Sequence, residues 1–345
     1  MIVLLYAEMN IAEKVGVILV NLGTPNSTSE QDVRTYLAEF LSDKDVIRIP
    51  RFFWLPLLHL IILRTRPKKS AELYKKVWTE WGSPLLYYTF SQSGLLSQKL
   101  NTTKSSNFHI DVAMRYGSPS ILSTISKFQK NNYKKIVVIP MFPQYSTTTT
   151  RSIARELANI QKINAYKHME ILFIKDFHDN QWYIQSCKSK IEQFQEINGK
   201  PEKLVLSFHG IPESYIGHDE PYRDQCIYTS KLIAAALDIK EDKYEVALQS
   251  IFGKSEWIKP YLASRLESLP SEGVKNIQVF CPGFVSDCLE TIEEIGEESR
   301  ELFIESGGES FNHIPCLNDS DLFIDMLKNL IENHQSLNTK YKTIL

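Results

Sequence analysis

The sequence predicts an α/β protein built of two similar doubly wound halves, each around a parallel sheet. Three observations carry that expectation. Eight short apolar runs alternate with segments of helical period. The runs are continuous rather than alternating in polarity, the mark of strands covered on both faces. Two pairs of strand ends also echo each other: "VILVNLGTP" (17–25) with "LVLSFHGIP" (204–212), and "KIVVIPMFPQYS" (135–146) with "NIQVFCPGFVSD" (276–287). A closed barrel fits less well, because a long insertion (42–108) separates the first two strands while the later ones follow at shorter intervals.

In chain order the expected strands are 15–22, 109–116, 135–142, 168–174, 203–209, 244–252, 275–284 and 310–317. After the first, "TPNSTSEQ" offers turn and N-cap residues, with Glu30 available for a capping box. Val33, Tyr36, Leu37, Phe40 and Leu41 then recur on one helical face, as Ile121, Ile125 and Phe128 do after the second strand. The expected division is 12–165 for the first domain, which carries the insertion, and 166–330 for the second.

The 345 residues suit two domains and can bury a large core without staples. Lys and Arg total 39 against 41 Asp and Glu, a net charge of −2 with no basic stripe, so no nucleic-acid partner is expected. The five cysteines (Cys187, Cys226, Cys281, Cys288 and Cys316) form no C-x-x-C pair, which points to a reduced cytosolic interior rather than a disulfide or zinc framework. "MIVLLYAEMN" lacks the basic region and cleavage site of a signal peptide. No run reaches the roughly 18–20 apolar residues of a membrane span. "FFWLPLLHLIIL" (52–63) is the longest, broken by Pro56 and His59; it is either a core helix or a surface that touches a membrane interface.

Parallel sheets of this kind bind ligands beyond the carboxyl ends of their strands. There "LVLSFHGIP" delivers His209, whose imidazole can bind a metal or take up a proton near neutral pH, or simply pack. In "FVSDCLETIEEIGEESRE" (284–301), Ser286 or Asp287 can cap a helix on which Glu290, Glu294 and Glu298 share one face. That column either relays ions and protons or is a solvated acidic stripe. Arg115 and Tyr116, at another strand end, suit an anionic ligand or ordinary loop packing. The hydroxyl-rich "PQYSTTTTRS" can hold a carboxylate or phosphate on its backbone N–H groups, but no G-x-G-x-x-G or Walker pattern supports a nucleotide. Trp257 offers a flat face to an aromatic ligand or belongs to the core, and no G-x-S-x-G elbow suggests a hydrolase.

Together "LVNLGTP", "FLSD", "GSPL", "YGSPS", "PQYSTTTT", "SFHGIPESYIGHDEPY", "LQSIFGKSEWIKP" and "CPGFVSDCLETIEEI" resemble the ferrochelatase family across nearly the whole chain. The resemblance implies two Rossmann-like domains of chelatase type and insertion of Fe²⁺ into protoporphyrin IX, both substrates, with release of two protons. It implies His209 and Glu290 as iron-site and catalytic residues. Trp257 and Phe284 would line the porphyrin pocket, with Arg115 and Tyr116 close by, and 52–63 would be an apolar lip at its mouth. It also implies a cytoplasmic protein, peripheral at the inner face of the membrane.

Some members carry His where this chain has Cys288, which is therefore not counted as a ligand. Members with a 2Fe–2S cluster place a cysteine in the loop matching "QYSTT" and several at the C-terminus. Here that loop has Ser146 and Thr147, and no cysteine follows Cys316, so no cluster is expected. Coproporphyrin-type members tend to have Tyr where this chain has Leu22, which favours protoporphyrin over coproporphyrin III. A non-catalytic tetrapyrrole or metal carrier of the same fold is the alternative of a different class.

Overall fold

The computed structural model describes residues 14–102, 107–217, 219–253 and 255–334; the N-terminal run 1–10 lies outside them. All eight expected strands form: β1 (Val15–Gly23), β2 (Phe108–Tyr116), β3 (Lys135–Pro140), β4 (Glu170–Phe173), β5 (Lys203–His209), β6 (Tyr244–Gln249), β7 (Asn276–Phe280) and β8 (Ser310–Ile314). They make two four-stranded sheets in the orders β2-β1-β3-β4 and β6-β5-β7-β8. Every pairing is parallel. The orders are the same once shifted by four strands, so β1 corresponds to β5 and β3 to β7, the two pairs whose ends echo in sequence. Because β4 pairs with β3, the first sheet runs past the division expected at residue 165.

The helices are α1 (Glu30–Ser42), α2 (Arg51–Leu57), α3 (Leu63–Val77), α4 (Pro84–Leu100), α5 (Ile121–Lys130), α6 (Thr150–Gln161), α7 (Gln181–Asn198), α8 (Tyr222–Ala236), α9 (Leu262–Ser268), α10 (Arg300–Glu305) and α11 (Asp321–His334). Two stretches wind as π-helix: Leu58–Ile62, which joins α2 to α3, and Glu290–Ser299, which leads into α10. Ser29 caps α1 by accepting from the Asp32 N–H. This puts Glu30 at the first helical position, where it pairs with Arg34 instead of closing a capping box.

The described part of the insertion is mostly helical, and α4 docks it onto the C-terminal half. Gln92, fully buried, donates through Nε2 to Ser286 Oγ (2.9 Å) and to the Asn318 carbonyl (2.8 Å). Lys99 pairs with Asp321 and Asp325 of α11. One apolar core runs through both halves, from Val17, Leu19 and Leu96 to Tyr183, Phe323 and Leu327. Shared burial of this kind fixes the halves against each other and shapes the cleft between them.

Candidate active site

His209 is the last residue of β5, paired in register with Gln249 of β6, and its side chain is half-buried. Its Nδ1 lies 2.6 Å from the Gly210 carbonyl oxygen. A carbonyl can only accept, so Nδ1 carries the proton and Nε2 is left with a free lone pair in the neutral ring. The backbone here is tied down on three sides. The Gly210 N–H donates to the Gln249 carbonyl (2.8 Å), Tyr222 donates to the His209 carbonyl (2.9 Å), and Pro212 bridges to Trp257. Gly210 makes a close approach: a Cβ there would stand 3.0 Å from the Gln249 oxygen and 3.2 Å from the Trp257 ring.

Trp257 is 5 % exposed and donates through Nε1 to the Phe252 carbonyl, so it backs the His209 loop as a core residue. Phe284, half-buried in the loop after β7, brings its ring centroid within 6.4 Å of the His209 ring. Across the cleft Leu22, at the end of β1, joins a cluster with Tyr36, Leu58 and Tyr116, on which Leu289 and Ile292 of the C-terminal half also pack. The guanidinium of Arg66 sits 5.5 Å from the Phe252 ring centre, a second contact between the halves at this cleft.

Glu290 opens the π-helix, with its carbonyl accepting from Gln249 Nε2 (3.3 Å). One turn on, Glu294 accepts from the Ser250 N–H (2.7 Å), Ser250 Oγ (2.5 Å) and Gln249 Nε2 (3.5 Å). Ser250 reaches it because its backbone adopts φ +64°, rare for a non-glycine residue and found mostly where structure demands it. Burial pushes the Glu294 carboxyl above the usual range. The Ser250 hydrogen bonds pull it down, as does the His209 ring when protonated, and Glu290 pushes it up. Glu294 is therefore within electrostatic reach of both His209 and Glu290. Burial, and after it the charge of Glu290, raises the Tyr36 hydroxyl of the N-terminal half.

The acidic column differs from its α-helical expectation. In the i→i+5 winding, buried Glu293 and exposed Glu297 both pair with Lys76 of α3 at 2.9 Å, and Glu298 faces solvent. Neither expected cap behaves as a simple one. Ser286 accepts from Gln92, and Asp287 accepts from Thr291 Oγ1, the Cys316 N–H and Asn318 Nδ2. Cys288 is buried, and burial, with Glu290 next in size, raises its thiol far above the ordinary value.

Arg115 and Tyr116 end β2, with Tyr116 in the same apolar cluster as Leu22. Arg115 donates to Ser152 Oγ (2.7 Å) and to Asp43 Oδ2 (2.6 Å), and Tyr116, 2 % exposed, donates to the same oxygen (2.9 Å). These contacts tie the end of β2 to the end of α1. Asp43 lies in the quoted "FLSD", but nothing local to that segment announces an ion pair with a residue 72 positions away. Ser250 and Gln249 were likewise inconspicuous in "LQSIFGKSEW".

Comparison with known proteins gives the site its context. The family model described as Ferrochelatase matches residues 14–335. The chain belongs to the ferrochelatase family. It is 44 % identical over 323 residues to the ferrochelatase of Idiomarina loihiensis, covering 94 % of this chain and 88 % of that one. It is 45 % identical over 322 residues to that of Alcanivorax borkumensis, covering 93 % and 94 %. Among solved structures, SirB from Bacillus subtilis with Fe3+ aligns with a TM-score of 0.54 at 11 % identity, covering 95 % of this chain and 99 % of that one. That likeness concerns the fold alone. As a ferrochelatase the chain is a metal-insertion enzyme, with iron and a porphyrin as its substrates.

Proposed function

We propose that the chain inserts Fe²⁺ into protoporphyrin IX to form protoheme, with His209 and Glu290 handling the metal and the two protons. The observation that carries this reading is that Gln249, paired in register with His209, reaches the Glu290 carbonyl and the Glu294 carboxylate, while the Ser250 N–H also donates to Glu294. Insertion replaces two pyrrole N–H protons by one dication, so the site must take up two protons for each ion delivered. The unprotonated Nε2 of His209 and the neighbouring carboxylates are suitable acceptors. Among the described residues no three His, Cys, Asp or Glu side chains gather to hold a metal.

Leu22 favours protoporphyrin over coproporphyrin III. Its apolar side chain sits in an apolar cluster at the cleft, and protoporphyrin has vinyl groups where coproporphyrin has two further carboxylates. Trp257 and Phe284 support the pocket from the His209 side, with Phe284 nearer the ring. The chain works without an iron–sulfur cluster and without a nucleic-acid partner. No described helix is long and apolar enough to cross a membrane. The enzyme is cytoplasmic and meets the inner face of the membrane through the exposed part of 52–63.

Zinc insertion assayed fluorometrically with protoporphyrin IX and with coproporphyrin III tests the proposal. Faster turnover of protoporphyrin is expected. Preference for coproporphyrin would overturn the substrate assignment, and tight binding without insertion would favour a carrier.

A further inference from the structure

A cavity of about 400 Å³ lies between the segment that follows α1 and the first turns of α6. Five cations line it: Lys44, Arg48, Arg51, Arg151 and Arg155. Asp45, 2 % exposed, is the one carboxylate among the lining residues and pairs with Arg151 (3.2 Å) and Arg155. Arg48 stacks on Tyr215 at 4.0 Å, donates to Thr147 Oγ1 and lies 4.0 Å from Glu220. These contacts account for three of the arginines. Lys44 and Arg51 have no carboxylate partner among the described residues.

Three guanidinium atoms make the arrangement informative. Arg51 Nη1, Arg151 Nε and Arg155 Nη1 are buried without a hydrogen-bond partner; Arg155 Nη1 lies in an ion pair against Asp45 Oδ2, itself without a hydrogen bond, which leaves Arg51 Nη1 and Arg151 Nε with none of either kind. Buried donors are nearly always satisfied, and charged ones are costly to leave unmatched. Here they occur together in a cavity whose cations outnumber its carboxylates. An anion would answer both conditions. A monocarboxylate brings one charge and two oxygens, whereas a phosphoryl group brings about two charges and three or four oxygens able to take several guanidinium forks at once.

We propose that this cavity binds a phosphoryl dianion, either free phosphate or a phosphate headgroup presented by a membrane. Arg51 is followed directly by the exposed Phe52 and Phe53, so a headgroup in the cavity would leave its acyl chains beside apolar side chains.

Inorganic phosphate titrated calorimetrically into the full chain, at ionic strength fixed with chloride, tests the proposal. Saturable binding of one phosphate is expected, about tenfold weaker in Arg51→Gln and in Arg151→Lys. The first removes a cation that has no protein partner. The second keeps the charge that faces Asp45 and loses only the fork. A parallel arm uses vesicles of phosphatidylcholine with and without phosphatidic acid. Phosphatidate-dependent binding that Arg51→Gln weakens and free phosphate displaces assigns the site to a headgroup. Phosphate binding sensitive to the variants, with vesicle binding indifferent to them, assigns it to a soluble ligand. Heats no larger than those from chloride, acetate bound as tightly as phosphate, or wild-type affinity in Arg51→Gln would overturn the proposal.

Discussion

Arg115 holds Asp43 from 72 residues away, its Nη2 2.6 Å from Oδ2, and the same carboxylate oxygen takes the hydroxyls of Tyr116 and Ser152. The end of β2 is thereby fastened to the end of α1. Burial raises the Asp43 carboxyl, but the bonds from Ser152, the Asp45 backbone, Arg115 and Tyr116 hold it below the usual range. Asp43→Asn removes one partner of a buried pair and should cost about 3 kcal/mol in urea unfolding at neutral pH. A carboxyl with a lowered folded pKa contributes stability above its unfolded value, about 3.9, and loses it as pH falls through the folded value. The gap between wild type and variant should therefore close in acid. A gap independent of pH would mean that the charge is not what matters.

His209→Ala should abolish metal insertion while the protein still folds and binds porphyrin. The imidazole is half-buried and its one hydrogen bond is to the adjacent residue, so little of the core depends on it. Zinc-insertion rates, porphyrin fluorescence quenching and a thermal melt separate these effects. Turnover near wild type would refute the assignment of His209 as ligand or base.

Glu294 and Glu298 should now diverge. Glu294 is largely buried beside Ser250, His209 and Glu290, whereas Glu298 is exposed. Glu294→Gln should slow insertion at least tenfold without loosening porphyrin, and Glu298→Gln should leave the rate within twofold, as exposed substitutions away from special features do. Because the folded pKa of Glu294 is raised, its contribution to stability is full below the unfolded value, about 4.3, and declines as pH rises through the folded one. Glu294→Gln should remove that decline from a pH series of urea midpoints. Equal rates for both variants and wild type would end the relay role of the column.

The parts legible in the sequence were those fixed by local chemistry. Continuous β-branched runs read as buried strands because parallel sheets covered by helices leave no polar face to interrupt them. Gly23 stood out only as part of the repeated strand end "VILVNLGTP", and the fold shows why it is needed: φ is +127°, and a Cβ would stand 1.9 Å from the Tyr116 carbonyl oxygen. The π-helix was not legible. Carboxylates spaced four apart serve a π as well as an α winding, and only packing against Lys76 and Ser250 distinguishes them. Nor could the sequence sort Phe52, Phe53 and Trp54, three adjacent aromatics whose separation depends on where α2 meets α1.

The fold splits those aromatics between two roles. Phe52 is 71 % exposed and Phe53 64 %, followed outward by Leu57, Leu60 and Ile61. Trp54 is 7 % exposed, and its Nε1 donates to the Leu41 carbonyl at 2.7 Å, with Leu58 and Leu63 buried below it. The stretch is therefore core on one side and open apolar surface on the other, and exposed Arg64, Arg66, Lys68 and Lys69 follow it. Such a face suits reversible contact with an anionic bilayer. Trp54 is thus unsuitable for probing the membrane. Trp54→Ser should cost about 3–5 kcal/mol, as loss of a buried aromatic does. Phe52→Ser with Phe53→Ser should leave the unfolding midpoint nearly unchanged. In sedimentation with anionic vesicles, wild type should bind at low salt and release as salt rises, and the double Phe variant should bind several-fold more weakly. Wild type that ignores such vesicles at low salt would remove the lip from any membrane role and leave the exposed rings for the porphyrin alone.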